Sequence, residues 1–104
     1  MKRAPPFVYK TVTVEVRPQA LEKVVGGLEQ VTAHAYRCEP GTRLCAWFQS
    51  KEDPTRFLQV LVFDDDEAER VHRGSLPARH LAKLLSNGSA HANQPTEWNV
   101  LAGI

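Results

Sequence analysis

The stretch from Glu39 to His72, EPGTRLCAWFQSKEDPTRFLQVLVFDDDEAERVH, decides how this chain folds. It divides into a turn (Glu39-Pro40-Gly41), a strand over 43–49, a six-residue polar loop, a strand over 56–63, and an acid-capped helix that reaches His72. In the first strand Leu44, Ala46 and Phe48 alternate with Cys45 and Trp47. In the second, Phe57, Gln59, Leu61 and Phe63 alternate with Leu58, Val60 and Val62. Both strands are apolar on both faces, which signals a sheet buried on two sides. A chain of 104 residues has helices enough for one face only. Exposing Leu58, Val60 and Val62 together makes a large patch for a monomer, so the sequence predicts a homodimer through the face away from the helices.

Outward from this segment the pattern stays regular. Phe7 to Val16 alternates, with Val8, Val12, Val14 and Val16 on one face and Phe7, Tyr9, Thr11, Thr13 and Glu15 on the other, which predicts a first strand. Arg17-Pro18 ends it. Leu21, Val24, Val25, Leu28, Val31 and Ala35 then recur at helical spacing over 19–36. Gly26-Gly27 lies mid-helix, at about 1 kcal/mol per glycine relative to alanine, and is read as close packing of helix on sheet. Asp64 to Asp66 with Glu67 resembles a capping box that opens a helix ending near Gly74. Ser75 and Pro77 open another, with Leu76, His80, Leu81, Leu84 and Leu85 as its inner stripe. Residues 86–95 read as loop, and 96–102 as a last strand. The order βαββααβ is that of an α+β, ferredoxin-like fold with helices on one face of an antiparallel sheet, in one domain over 1–104.

An apolar fraction of 42%, a charged fraction of 24% and a net charge of +1 describe an ordinary globular chain without a basic face for nucleic acid or membrane surfaces. Met1-Lys2-Arg3 is followed by Ala4-Pro5-Pro6 rather than an apolar run, so residues 1–6 read as a frayed start and not as a signal peptide. No window has the length of a membrane span. Cys38 and Cys45 flank the turn without metal-ligand spacing. Their pairing is open from sequence; reduced, mostly buried thiols in a cytoplasmic protein are the expectation.

The segment also resembles the antibiotic biosynthesis monooxygenase family of dimeric α+β barrel proteins. Glu39-Pro40-Gly41, Ser50-Lys51-Glu52-Asp53-Pro54, Arg56-Phe57, Glu67-Ala68 leading to His72, and Ser75 with Pro77 carry the resemblance. It implies a pocket between sheet and helices, with His72 as the recurrent histidine there. It further implies a cofactor-independent monooxygenase acting on a small aromatic, phenol or quinol, without metal or flavin. Phe63 departs from the pattern, since many members carry tryptophan there. A haem-degrading branch relies on asparagine, tryptophan and histidine together, and only the histidine is in place. A non-catalytic dimeric module of the same fold, binding a small apolar ligand or a protein partner, is the other reading.

Each candidate residue has a plain structural role beside its functional one. An imidazole can exchange a proton with a phenolic oxygen near neutral pH, so His72 is the catalytic candidate. At a helix C-terminus a histidine also simply favours the dipole. Phe63, Trp47 and Phe57 can line an apolar pocket for a planar substrate, or belong to the core. Gln59, polar within an apolar strand, bonds either a substrate or a polar neighbour. His80 is expected to face the core, and His34 and His91 solvent. The acids at 64–66 read as helix caps, and no metal site or cofactor is expected.

Overall fold

The alternating residues near the N-terminus form strand β1 (Val8–Glu15), and a 3-10 turn (Pro18–Ala20) leads into helix α1 (Leu21–Cys38). The structure, a computed structural model, describes residues 7–91 and 93–103, and the expected frayed start lies outside them. Next come β2 (Thr42–Gln49), β3 (Arg56–Phe63), α2 (Asp66–Gly74), α3 (Leu76–Gly88) and β4 (Gln94–Trp98). All strand pairs are antiparallel and the sheet order is β2-β3-β1-β4, so the ferredoxin-like α+β plan holds. The last two boundaries differ from the pattern reading. Helix α3 continues to Gly88, and β4 starts at Gln94 because Tyr9 pairs with Trp98 and Thr13 with Gln94. Val100 and Leu101 fall beyond the strand and are exposed.

Register assigns each side chain to a face. Val12 of β1 stands opposite Gln59 of β3, which stands opposite Trp47 of β2. This row faces the helices. On that side Val14, Val16 and Phe57 pack with Val24, Leu28 and Val31 of α1 and with Leu81 and Leu85 of α3. A second, smaller cluster joins Val8, Leu61 and Phe63, with Ala68 of α2 against it. The other face carries Leu44, Phe48, Leu58 and Trp98, all exposed, with Phe48 and Trp98 more than half so (55% and 54%). Ala46, Val60, Val62 and Tyr9 lie between them at partial exposure.

Two glycines owe their place to close approach. A Cβ on Gly27 would lie 2.9 Å from Leu84 and 3.2 Å from Leu81, so its packing partner is α3 rather than the sheet expected from sequence. Gly41 has no positive φ, and its turn does not require glycine for that reason. A Cβ there would meet the Cβ of Ala68 at 2.6 Å, so the missing side chain lets the start of β2 lie against α2. The amide of Asp64 donates to the Gly41 carbonyl at 2.9 Å and closes the contact.

Gly41→Ala should therefore destabilise the fold by about 1–3 kcal/mol through overpacking against α2. Gly26→Ala, with nothing within 4 Å of the added methyl, should stabilise it by about 0.5–1 kcal/mol. Urea unfolding of both variants checks this, and a Gly41→Ala protein as stable as the parent would refute the close-approach account.

Candidate functional site

Helix α2 is short and holds its place by its ends. Asp65 is the N-cap, its carboxylate accepting from the Ala68 amide at 2.8 Å. No capping box forms: Ala68 occupies the third helical position, and Glu67 pairs with Arg70 instead. Asp64 pairs with Arg43, which leaves the three consecutive acids as cap and surface groups. At the other end Ser75 serves two helices. Its amide and hydroxyl both donate to the His72 carbonyl (3.2 and 2.8 Å), and its hydroxyl oxygen accepts from the Ala78 amide of α3 at 3.2 Å. His72 is thereby fixed where α2 meets the sheet.

The His72 side chain is 6% exposed, and its ring stands 5.3 Å from that of Phe63 between centroids, tilted by 50°. Nδ1 lies 2.6 Å from Oε1 of Glu39. Glu39 itself is buried, with 3% of its side chain exposed, and the Thr42 hydroxyl donates to the same Oε1 at 2.9 Å. Oε2 has no hydrogen bond, and Nε2 of His34 on α1, one-third exposed, lies 3.4 Å from it. The sequence pattern puts Glu39 only in a turn and His34 toward solvent; Glu39 is buried beside His72, and His34 is one-third exposed at its edge. A signal was available, because Glu39 is the C-cap of α1, where the helix dipole disfavours an acid.

Beside His72 opens a cavity of about 620 Å³ between the sheet and helices α2 and α3. Val12, Trp47, Gln59, Leu61 and Phe63 supply its sheet side. Lys10 interrupts the valine row of β1 at this cavity and pairs with Glu69 of α2. The Trp47 indole N–H is buried without a hydrogen-bond partner. Below it, burial pushes the Cys45 thiol up, and the charge of Glu39 adds to the effect. Cys45 is partly buried and free, and Cys38 is free and exposed, where a mostly buried thiol was expected.

Of the sequence candidates, the structure brings His72, Phe63, Trp47 and Gln59 to one cavity. Phe57 is not among its lining residues and packs in the core with Val14 and Leu81. His80 is exposed rather than core-facing, as is Leu76, so the inner stripe of α3 is Leu81, Leu84 and Leu85. His91 faces solvent and lies 3.0 Å from Glu15. Thr11 and Thr13 are on the strand face opposite the cavity. Among the described residues no group of three His, Cys, Asp or Glu side chains is arranged to hold a metal, and no helix is long and apolar enough to cross a membrane.

The architecture has close counterparts among solved structures. A provisionally named antibiotic biosynthesis monooxygenase from Bacteroides thetaiotaomicron VPI-5482 superposes with a TM-score of 0.86 at 15% identity, covering 93% of this chain and 91% of that one. One from Nitrosomonas europaea, also provisionally named, gives 0.83 at 17% identity over 97% and 96%. Rv0793 from Mycobacterium tuberculosis gives 0.82 at 18% over 93% and 97%. At such identities the likeness is one of fold. No curated protein sequence matches the chain. The family model for antibiotic biosynthesis monooxygenases matches residues 7–84, from the first strand to the penultimate turn of α3, and so the chain belongs to the antibiotic biosynthesis monooxygenase family.

Proposed function

We propose that this protein is a cofactor-independent monooxygenase that oxidises a small phenol or quinol in the cavity beside His72. The observation that carries the reading is the cavity itself: space for a bicyclic or tricyclic aromatic, with Val12, Trp47, Leu61 and Phe63 on its sheet side, the charged Lys10, Glu69, Arg73 and Arg79 also lining it, and one buried imidazole. In the reaction the hydroxyl gives its proton to His72, and the resulting phenolate supplies the electrons to dioxygen. One oxygen atom bonds to a ring carbon and the other leaves as water, so a phenol plus dioxygen becomes a quinone plus water. The apolar sheet side of the cavity serves the phenolate by fixing its orientation. The unpartnered Trp47 N–H and the Gln59 amide are the groups that orient the substrate's oxygens. Phe63, tilted against the imidazole, holds His72 from the sheet side.

The second part of the proposal is a homodimer. Leu44, Phe48, Leu58 and Trp98 belong to an exposed face that is apolar across β2 and β3 and reaches β4 along the row Leu44, Val62, Tyr9 and Trp98. A second copy presenting the same face covers it, in an isologous interface of the usual kind. Phe63 in place of tryptophan favours a second reading, in which the cavity binds a small aromatic without turning it over.

Oxygen uptake with a panel of phenols and hydroquinones separates the two. Monooxygenation consumes one dioxygen per quinone formed, and His72→Ala should lower the rate by about 10²-fold or more. Tight binding of panel members without oxygen uptake would replace the enzyme with a binding module. For the dimer, sedimentation should give twice the chain mass, and Leu58→Asp should give monomers by placing a charge at the centre of the covered face. A monomeric parent protein would overturn this part.

A further inference from the structure

We infer that Glu39 is the positioning residue of this site, holding His72 in the tautomer protonated at Nδ1 so that Nε2 is the acceptor offered to the cavity, with His34 bracing the far side of the carboxylate. The kinetic arm of this inference rests on the monooxygenase reading; the tautomer does not.

An ionised carboxylate only accepts, so the ring nitrogen 2.6 Å from Oε1 must carry a proton. Neutral imidazole has one N–H, and placing it on Nδ1 leaves Nε2 bare. A bare Nε2 is what a general base needs. The opposite tautomer would offer the cavity a donor, able to hold a substrate but not to take its proton. The tautomer therefore decides the chemistry, and Glu39 decides the tautomer.

The carboxylate is held from several sides. The Glu39 amide donates to the Ala35 carbonyl at 3.1 Å, the last tie of α1, and its own carbonyl accepts from the Thr42 amide at 3.1 Å. The Thr42 hydroxyl donates to Oε1, and Gly41 lets this turn sit against α2. Only Oε2 is short of a partner. His34 Nε2, at 3.4 Å, is within ion-pair reach but longer than a good N–H···O bond, which lies near 2.9 Å. A movement of a few tenths of an ångström by this one-third-exposed side chain completes the set.

Long-range proton–nitrogen spectra of the full chain labelled with ¹⁵N-histidine test this without any substrate. The expected pattern for His72 is protonated Nδ1 and bare Nε2. Glu39→Gln, which keeps shape and removes charge, should move it toward the Nε2–H form that a free imidazole prefers. His34→Ala should keep the pattern but shift the Nδ1 proton resonance. A bare Nδ1 in the parent protein overturns the inference even if no variant folds, and an unshifted resonance in His34→Ala removes His34 from the group. With any phenol that is turned over, Glu39→Gln should lower kcat by about 10²- to 10⁴-fold, with KM changed less than about threefold. An unchanged kcat overturns the inference as well. If no phenol reacts while the spectra behave as expected, the monooxygenase reading falls and the positioning of His72 stands.

Discussion

The contact between Glu39 and His72 is the constraint around which the rest of the site is arranged. It joins the C-terminus of α1 to the C-terminus of α2, two points 33 residues apart in the chain. A buried carboxylate needs partners for both oxygens, and leaving a buried polar group unpaired costs about 1–3 kcal/mol. Thr42 and His72 meet this need on one side and His34 approaches on the other. For the three to converge, β2 must begin close against α2, which is what the bare Cα of Gly41 permits beside Ala68. Glu39-Pro40-Gly41 is therefore a packing device as well as a turn. Its acid reaches into the site, and its glycine brings the helix near enough to be reached.

The fold was legible because its signals are periodic. Strand β3 was read to the residue, since Phe57 to Phe63 alternates without interruption and the Ser50–Thr55 loop closes on its own side chains. Ser50 accepts from the amides of Glu52 and Asp53, and Asp53 accepts from the amide and hydroxyl of Thr55. Hydrogen bonds from Thr55 hold the Asp53 carboxyl below the usual range. The pattern starts β4 too late, because Val100 and Leu101 are apolar while Gln94, Thr96 and Glu97 are polar and Pro95 lacks a strand donor. Pairing with β1 outweighed composition there. His80 was assigned to the wrong side of α3 for a related reason: adjacent positions 80 and 81 lie 100° apart, and only Leu81 faces the sheet. The site was legible in part. His72, Phe63, Trp47 and Gln59 could be named one by one, but the pairing of Glu39 with His72 depends on how α2 is set against β2, which no local periodicity encodes.

The two faces of β3 show how one strand serves two tasks. Leu58, Val60 and Val62 point away from the helices into an apolar surface with no polar interruption along β3. Dry contact with a like surface suits that face. On the helix side Gln59 breaks the run, and Trp47 across the strand pair brings an N–H without a partner. Collapse of the helices onto this part of the sheet would leave the polar groups that face it, Nε2 of His72 among them, unpaired among apolar atoms, as the Trp47 N–H already is. At about 1–3 kcal/mol for each such group, closing the space is disfavoured. Farther along the same face, where Val14, Val16 and Phe57 offer no polar atoms, α1 and α3 pack down fully. The cavity thus follows from where polar side chains interrupt the inner face of the sheet, and the same interruptions supply hydrogen-bonding groups for the ligand proposed above.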